Sequence, residues 1–478
     1  MLFNSFAFAI FFPLVFILYW LLPHRKQNIL LLVSSYIFYG FWDYRFLSLI
    51  AVSTIVDYIT GLRIESENIS PGPDSDRKKK IWLILSICTN LGLLGFFKYF
   101  NFFIDSLAGL LTAMNLNADS FRLDIVLPVG ISFYTFQTMS YTIDIYRDKM
   151  KATNRIIDFA VYVAFFPQLV AGPIERAKEL LPRIINKRKF DLDQFLNGVH
   201  LIFWGLFKKI YVADNLASTV TRIFSNPDPT GFEVIVGAYT FAFQIYCDFS
   251  GYSDIARGCA KCLGIELMLN FNHPYVALNP SDFWRRWHIS LSSWLRDYLY
   301  IPLGGNRKGP IRTYVNLSLT MLLGGLWHGA SWVFVLWGAY QGALLIGHRL
   351  VQITLEQMTR FLNVIPLQIR NLFKIIAFFQ FVCIGWIIFR ADSMDTITRM
   401  TRSLFFWKGQ TDLSLIMPLI EFAGPLMVIE LIQVLLKRDD IQNVPNINIF
   451  IKTVLYAVFF YLMVFYGAAA HSFIYFQF

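Results

Sequence analysis

The sequence predicts an all-α protein, a polytopic membrane helical bundle of roughly 11–13 helices at about 20 residues per crossing. Of its 478 residues, 56% are hydrophobic and 15% are charged, whereas soluble domains carry about 25% charged residues. Aromatic residues make up 17% of the chain, which suits wide lipid-facing and interfacial surfaces. This composition argues against a soluble globular enzyme and against a disordered chain.

The first apolar run, residues 6–22, predicts a retained membrane span and not a removable signal peptide. No basic residue precedes the run and no small-residue cleavage site follows it, and a signal peptide needs both. His24, Arg25 and Lys26 come directly afterwards. Because cytoplasmic loops are enriched in Lys and Arg, we expect the N-terminus outside and this loop in the cytoplasm.

Further apolar runs predict the remaining spans, and residues 63–80 form the clearest loop. That loop holds Pro71, Gly72 and Pro73 and a basic run at 77–80. Several apolar runs are short and carry Gly or Pro, so we expect broken or re-entrant helices where they line a cavity. The predicted spans are 29–42, 46–62, 81–97, 123–141, 157–174, 195–211, 232–247, 314–326, 331–350, 375–389, 413–436 and 451–466.

The net formal charge of +10 reflects basic cytoplasmic loops in a protein of this class. We expect no nucleic-acid partner, since the polar stretches are too short to form a basic soluble domain. Five cysteines include one CxxC pair, Cys259 and Cys262. A zinc site would need a second pair of ligands nearby, so we expect packing residues and no metal.

His328 is the first candidate for chemistry. It lies near the middle of residues 313–347, a run without a formal charge. Ionisable groups in such surroundings are costly and tend to be functional, and imidazole is the side chain best placed to be neutral yet basic near pH 7. The alternative is an interfacial histidine packed beside Trp327, and the residues alone leave both interpretations open.

His288 is the second candidate and lies 40 residues upstream. We expect it on an amphipathic helix with Ser281 as its N-cap. Most of this helix suits a position in the headgroup layer with snorkelling arginines, but His288 borders the apolar stripe. The stripe follows i, i+3, i+7 spacing and consists of Trp284, Trp287, Leu291, Trp294 and Tyr298.

Two carboxylates, Asp248 and Asp254, lie on either side of Gly251 beside an apolar span. They either shape a polar funnel or serve helix ends, and the structural role is favoured.

Longer motifs resemble the bacterial branch of the membrane-bound O-acyltransferase (MBOAT) family, and the resemblance covers nearly the whole chain. The most specific is FWRRWHISLSSWLRDYLYIPLGGN at 283–306, followed forty residues after His288 by His328 in an apolar helix. That branch includes proteins of alginate O-acetylation, peptidoglycan O-acetylation and teichoic-acid D-alanylation. The other motifs are MLFNSF at 1–6, SSYIFY at 34–39, LPVGISFY at 127–134, FFPQLVAGP at 165–173 and YCDFSGYSD at 246–254.

The resemblance implies one membrane domain, 1–478, with a catalytic core segment at 281–350 and re-entrant or amphipathic helices around a central tunnel. It implies His328 and His288 as catalytic residues. We expect no bound cofactor, and acetyl-CoA or another acyl thioester as the cytoplasmic donor substrate. The substrate-tunnel candidates are Trp287, Arg296, Asp297, Trp327, Asp248 and Asp254.

Residues 473–478, FIYFQF, fit the pattern F-x-Y-x-x-F, which is similar to a C-terminal motif of bacterial O-acylation systems. The resemblance implies that Tyr475 carries the acyl group as a relay to an extracytoplasmic transferase. A phenol has a pKa of about 10, so it needs a base to react. The alternative is an aromatic anchor at the membrane interface.

The expected function is a membrane O-acyltransferase that moves acetyl groups across the bacterial cytoplasmic (inner) membrane to an alginate-like cell-surface polysaccharide. Since no soluble domain is predicted, we expect an SGNH-hydrolase-like extracytoplasmic partner to finish the transfer. Peptidoglycan O-acetylation and teichoic-acid D-alanylation are the alternatives within the family. A transporter or lipid-linked glycan flippase, in which His328 lines a path, is the alternative from another class.

Overall fold

The computed structural model describes the chain except residues 117–120, 171, 362–365, 408–410, 437–448, 470, 472 and 475–478, and the side chains of 353–361, 449 and 451–452. The described residues are helical throughout their regular structure and contain no β-strand, which confirms the all-α class. They form two compact units. One comprises Met1–Ile202 and Ile255–Met268, and the other Phe203–Asp254 and Leu269–Phe478.

Twenty α-helices occur in the described part of the chain. This is more than the sequence predicts, because some helices form outside the predicted spans and the span predicted at 157–174 divides into two. They are α1 (Phe6–Leu21), α2 (His24–Asp43), α3 (Leu47–Ile69), α4 (Ser75–Leu94), α5 (Phe100–Ala113), α6 (Ile131–Tyr146), α7 (Ile156–Ala164), α8 (Phe166–Leu169), α9 (Ala177–Ile185), α10 (Leu192–Leu206), α11 (Asp214–Phe224), α12 (Gly231–Cys262), α13 (Pro280–Trp284), α14 (Ile289–Leu295), α15 (Gly309–His328), α16 (Trp332–Phe361), α17 (Leu367–Arg390), α18 (Met394–Phe406), α19 (Gly424–Leu435) and α20 (Ile449–Tyr466).

Four helical segments of the described residues are long and apolar enough to cross a membrane. Shorter apolar helices cover Phe6–Leu21, Ile156–Leu169 and Thr453–Tyr466. Large apolar side chains point outward along these segments, which suits contact with lipid and not with water. The four long segments are His24–Ile69, Ser75–Ala113, Leu367–Arg390 and Leu413–Leu435.

Two predicted boundaries are wrong. The loop predicted at 63–80 is mostly helical, since α3 continues to Ile69 and α4 begins at Ser75; Glu, Lys and Arg are good helix formers once a helix leaves the apolar layer. The span predicted at 123–141 begins only at Ile131. Gly130 precedes it with φ of 77°, and a side chain there would lie 2.6 Å from the backbone oxygen of Leu169.

A hydrogen-bonded polar cluster joins α3, α4 and α6 in the first unit. The buried carboxylate of Asp57 accepts hydrogen bonds from Ser86 Oγ at 2.5 Å and Asn90 Nδ2 at 2.8 Å. Asn90 Oδ1 accepts from Ser53 Oγ at 2.7 Å and from Thr138 Oγ1 at 3.1 Å. Bonds between buried side chains fix apolar helices against each other where no hydrophobic force can choose a register.

In the second unit, α15 and α16 form an antiparallel hairpin in close contact. A side chain at Gly325 would collide with the backbone oxygen of Phe334, and one at Gly338 with the backbone oxygen of Met321. Small residues let helix backbones approach to this distance. The close contact therefore fixes the position of α16 along α15. It also fixes His328, the last residue of α15, relative to α16.

We expect Gly338→Ala to destabilise the protein, because its new methyl group meets backbone oxygen and cannot be relieved by a rotamer change. Overpacking of this kind costs about 1–3 kcal/mol. The measurement is the apparent Tm of the detergent-solubilised protein. The matched control is Gly347→Ala on the same helix, where nothing lies within 4 Å of the added atom; equal Tm values for both variants would contradict this packing.

Candidate functional site

The helical structure is interrupted just before and at His288. The amphipathic helix predicted from Ser281 onward is wrong as a continuous element, since α13 ends at Trp284 and α14 begins at Ile289. The N-cap of α13 is Asn279 and not Ser281, because Asn279 Oδ1 accepts from the backbone N–H of Asp282 at 2.9 Å. Proline at the first helical position follows the cap, as its fixed φ favours.

His288 has φ of 43° and ψ of 54°, in the left-handed region that a residue with a side chain rarely adopts. Such a backbone costs of order 1–3 kcal/mol and persists where the surroundings impose it. Here the N–H of Ile289 donates to the carbonyl of Asn270 at 2.9 Å, and the N–H of Ser292 donates to that of His288 at 2.9 Å. The imidazole is fully buried, at 0% exposure.

Asn270 determines which ring nitrogen of His288 carries the proton. Its Oδ1 accepts from the backbone N–H of Ser290 at 3.3 Å, and a backbone N–H only donates. The same oxygen lies 3.2 Å from His288 Nδ1, so Nδ1 must be the donor. In a neutral imidazole the lone pair is then on Nε2. The Nδ2 of Asn270 donates to Ser253 Oγ at 3.1 Å, which holds the amide in this orientation.

His328 is the last residue of α15 and is 3% exposed. Its ring centroid lies 5.1 Å from that of Trp327, 5.0 Å from Trp337 and 5.4 Å from Phe389. The next residue is Gly329, where a side chain would collide with the ring of Phe334. The imidazole is therefore packed among aromatic rings, in surroundings of low polarity.

The structure brings the two predicted histidines together. The ring centroids of His288 and His328 are 6.5 Å apart, at an interplanar angle of 63°. Trp327 lies beside both rings, with its centroid 5.9 Å from that of His288. Burial lowers the pKa of His288, which lies in the turn before α14 and outside the four long apolar segments. This ring is therefore neutral near pH 7, and its unprotonated nitrogen can accept a hydrogen bond.

The other candidates from the run at 283–306 lie in different surroundings. Trp287 is buried in an aromatic cluster, 4.8 Å from Trp386 and 5.0 Å from Phe271 between ring centroids. Arg296 and Asp297 form an ion pair with each other at 2.8 Å, and the side chain of Arg296 is 62% exposed. The contacts given for Arg296 and Asp297 are with each other and not with the two histidines.

Asp248 and Asp254 lie inside α12, away from its ends, and both are held in ion pairs. Asp248 is 2.7 Å from Lys209 Nζ, and Lys209 is also 2.8 Å from Asp214. Asp254 pairs with Lys208. The two carboxylates therefore do not serve helix ends. They neutralise buried lysines, and a buried cation without its carboxylates would be strongly destabilising.

Sequence reasoning missed the two lysines and Asn270. Lys208 and Lys209 interrupt the apolar run predicted at 195–211 and lie in a π-helical turn, Phe207–Ala213. A signal for the lysines was present, because two adjacent cations in an apolar segment require carboxylates elsewhere in the chain. Asn270 carries no comparable signal, since its partners become neighbours only when the chain folds.

The Lys209 cluster also holds the described residues near the C-terminus. Lys209 Nζ donates to the carbonyl of His471 at 3.0 Å, and the N–H of Ile474 donates to Asp248 Oδ2 at 2.7 Å. The buried ring of Phe473 lies 5.7 Å from that of Phe249, and Phe249 lies 4.7 Å from His288 between centroids. Tyr475 is outside the described residues.

Within the residues that the structure describes, no group of three or more His, Cys, Asp or Glu side chains could hold a metal ion. Cys259 and Cys262 are buried free cysteines, as packing residues would be.

The chain is similar to several known proteins. Residues 146–389 match the model of the MBOAT, membrane-bound O-acyltransferase family. The chain is 44% identical over 406 residues to a protein of Azotobacter vinelandii named probable alginate O-acetylase AlgI, covering 85% of this chain and 78% of that protein. It is 36% identical to a peptidoglycan O-acetyltransferase of Helicobacter pylori, covering 86% and 80%. A teichoic acid D-alanyltransferase of Bacillus subtilis is 27% identical, covering 55% and 68%.

Proposed function

Because this chain belongs to the membrane-bound O-acyltransferase family, we propose that it transfers acetyl groups from an acyl thioester toward an alginate-like polysaccharide of the cell surface. It is a multi-pass membrane protein and an acyltransferase. The single observation that carries the proposal is the buried pair of imidazoles with centroids 6.5 Å apart. The relative named for alginate is 44% identical, against 36% for the peptidoglycan enzyme and 27% for the D-alanyl enzyme, which supports the choice of polymer.

His328 acts as the general base. Its imidazole removes the proton from an attacking hydroxyl group as the oxygen bonds to the thioester carbonyl carbon. The carbon–sulfur bond then breaks, and the imidazolium returns its proton to the leaving thiolate. A thioester is already activated, so this chemistry needs a base and an environment that excludes water. The aromatic rings around His328 supply that environment.

His288 supports the proton on His328. With Nδ1 donating to Asn270, His288 presents a lone pair on Nε2 and carries no charge of its own. Because this ring is neutral, the imidazolium of His328 has no like-charged neighbour at the centroid distance of 6.5 Å, which lowers the cost of its buried positive charge. Asn270 is in this scheme a positioning residue, because it acts through the tautomer of His288.

The donor is an acyl thioester of the cytoplasm, with acetyl-CoA as the leading candidate and an acyl-carrier protein as the alternative. The protein resides in the bacterial cytoplasmic (inner) membrane and needs no bound cofactor. An extracytoplasmic SGNH-like acetyltransferase completes the transfer to the polysaccharide. Trp327 lies beside both histidines and lines the path of the acyl group.

Tyr475 is the proposed relay. Its phenol oxygen attacks the acetyl thioester, the thiol leaves, and the resulting ester passes the acetyl group to the partner enzyme. What supports this role is the described segment before it, which contacts Phe249 through Phe473, while Phe249 contacts His288.

His328→Ala should reduce acetyl-CoA consumption by about 10²–10⁴-fold, the usual contribution of a positioned general base. The measurement is release of free CoA by purified protein in nanodiscs, with its acceptor present. His200→Ala, a histidine in α10 outside the pair, is the control and should retain full activity. If wild type and His328→Ala consume no thioester and both transport a lipid-linked glycan, the protein is a flippase.

Asn270→Leu should lower kcat while leaving the KM for the donor unchanged, because it removes the acceptor that fixes His288. Asn270→Asp keeps an oxygen in the same place and should recover part of the rate. Its added negative charge favours the protonated imidazole, so the acidic limb of the pH–rate profile should move to higher pH. A loss of kcat with an unmoved profile in Asn270→Asp would point to a purely structural role.

Tyr475→Phe should abolish transfer to the polysaccharide, because a phenyl ring has no oxygen to acetylate. Mass spectrometry of the C-terminal peptide from active wild-type cells should show a mass increase of one acetyl group on Tyr475, absent in His328→Ala. Tyr461→Phe is the matched control, since Tyr461 lies in α20. An unmodified peptide from cells that lack the partner, where the ester should accumulate, would refute the relay.

A further inference from the structure

We propose that Trp337 is a catalytic residue whose indole N–H stabilises the negative oxygen of the acyl-transfer intermediate, and this proposal rests on the proposed function. Trp337 lies on α16, the helix that follows His328 in the chain, and is 1% exposed. Its ring centroid lies 5.0 Å from that of His328, at an interplanar angle of 86°. Trp337 is therefore a direct neighbour of the proposed base.

The indole nitrogen of Trp337 is a buried donor without an acceptor. Its Nε1 has no hydrogen-bond partner among the residues that the structure describes. The neighbouring rings of Trp284, Trp386 and Phe389 offer π faces, which accept hydrogen bonds only weakly. Buried polar groups are nearly always hydrogen-bonded, so each exception requires an explanation, and a catalytic role is one.

Packing alone does not require the nitrogen of Trp337. A buried tryptophan usually places its N–H against an acceptor, and a phenylalanine such as Phe389 forms an aromatic wall beside His328 without a donor. An internal water molecule needs several polar neighbours, and of the four rings packed against Trp337 only the imidazole of His328 has a nitrogen that can accept. The acceptor that fits is one that forms beside His328 during the reaction.

The acyl-transfer step produces such an acceptor. When the attacking hydroxyl oxygen bonds to the carbonyl carbon, the π electron pair of the carbonyl moves to its oxygen and His328 takes the hydroxyl proton. The N–H of Trp337 donates a hydrogen bond to this oxyanion and transfers no proton. As the carbon–sulfur bond breaks, the pair returns to re-form the carbonyl, and the imidazolium protonates the leaving thiolate. Donors aimed at developing charge in this way lower the barrier directly.

The place of Trp337 beside the base suits this role. A hydroxyl group that donates to His328 has its oxygen about 2.6–3.2 Å from the imidazole nitrogen, and the carbonyl oxygen is two covalent bonds further away. The oxyanion donor must therefore belong to a neighbour of the imidazole. The backbone contacts at Gly325 and Gly338 fix this neighbour, because Gly338 adjoins Trp337 in the chain. A donor held in place before the reaction needs no reorganisation.

The kinetic experiment compares Trp337→Phe with wild type. Phenylalanine keeps an aromatic ring and removes the N–H, so kcat should fall about 10²–10³-fold while the KM for acetyl-CoA stays within about twofold. Trp284→Phe is the matched control and should retain the wild-type kcat. Its Nε1 is also buried without a partner in the described part of the chain, but its ring packs against Phe283 and Trp337. An unchanged kcat in Trp337→Phe, or equal losses in both variants, would overturn the proposal.

A second replacement separates the hydrogen bond from the packing. Benzothienylalanine at position 337 has sulfur where the indole has its N–H group, and it keeps the size and shape of the ring. Its apparent Tm should equal that of wild type, and its kcat should be as low as that of Trp337→Phe. Full activity with benzothienylalanine would show that Trp337→Phe acts through lost packing, and would refute the donor role.

Infrared spectroscopy tests the same hydrogen bond without turnover. In His328→Ala protein, acetyl-CoA labelled with ¹³C at the carbonyl should show a lower carbonyl stretching frequency than in solution, because a hydrogen bond to the oxygen weakens the C=O bond. The shift should disappear when Trp337→Phe is added and persist when Trp284→Phe is added. A shift that is lost with Trp327→Phe and kept with Trp337→Phe would assign the donor to Trp327 and refute the proposal.

The two measurements also separate this proposal from the proposed function. Acetyl-CoA that binds with a Trp337-dependent shift but is never consumed by wild type would support the contact with Trp337 and refute the acyltransfer chemistry. Turnover that depends on His328, with neither kcat nor the carbonyl stretch responding to Trp337→Phe, would support the proposed function and refute Trp337 as the donor.

Discussion

The site depends on one constraint: two imidazoles lie inside a protein interior made of aromatic rings, and the polar atoms of the fully buried His288 still require hydrogen bonds. A buried polar group without a hydrogen bond is unfavourable, and the arrangement that avoids this at His288 requires a left-handed backbone conformation. Asn270 meets the constraint, because one amide oxygen faces His288, the hydroxyl of Ser290 and the N–H of Ser290. The same hydrogen bonds stabilise the interruption between α13 and α14. Asn270 therefore fixes both the backbone at His288 and the tautomer of its ring.

A second support is the hairpin of α15 and α16. Its glycines allow backbone contact, and backbone contact leaves little freedom to slide or rotate. His328 at the end of α15 therefore has a fixed position relative to Trp337 on α16, whose ring packs against it. Reactive groups need positions accurate to a fraction of an ångström, and close packing between helices gives such accuracy more readily than a loop does.

The sequence alone was enough to predict the all-α class and to single out the two histidines that the structure brings together, because hydropathy and the motif around His288 are local signals. It failed where tertiary contacts override local pattern. The stripe from Trp284 to Tyr298 has helical spacing, yet the helix breaks inside it, since the bonds to Asn270 outweigh propensity. Lys209 was overlooked because its carboxylate partners, Asp214 and Asp248, are recognised only once they are neighbours.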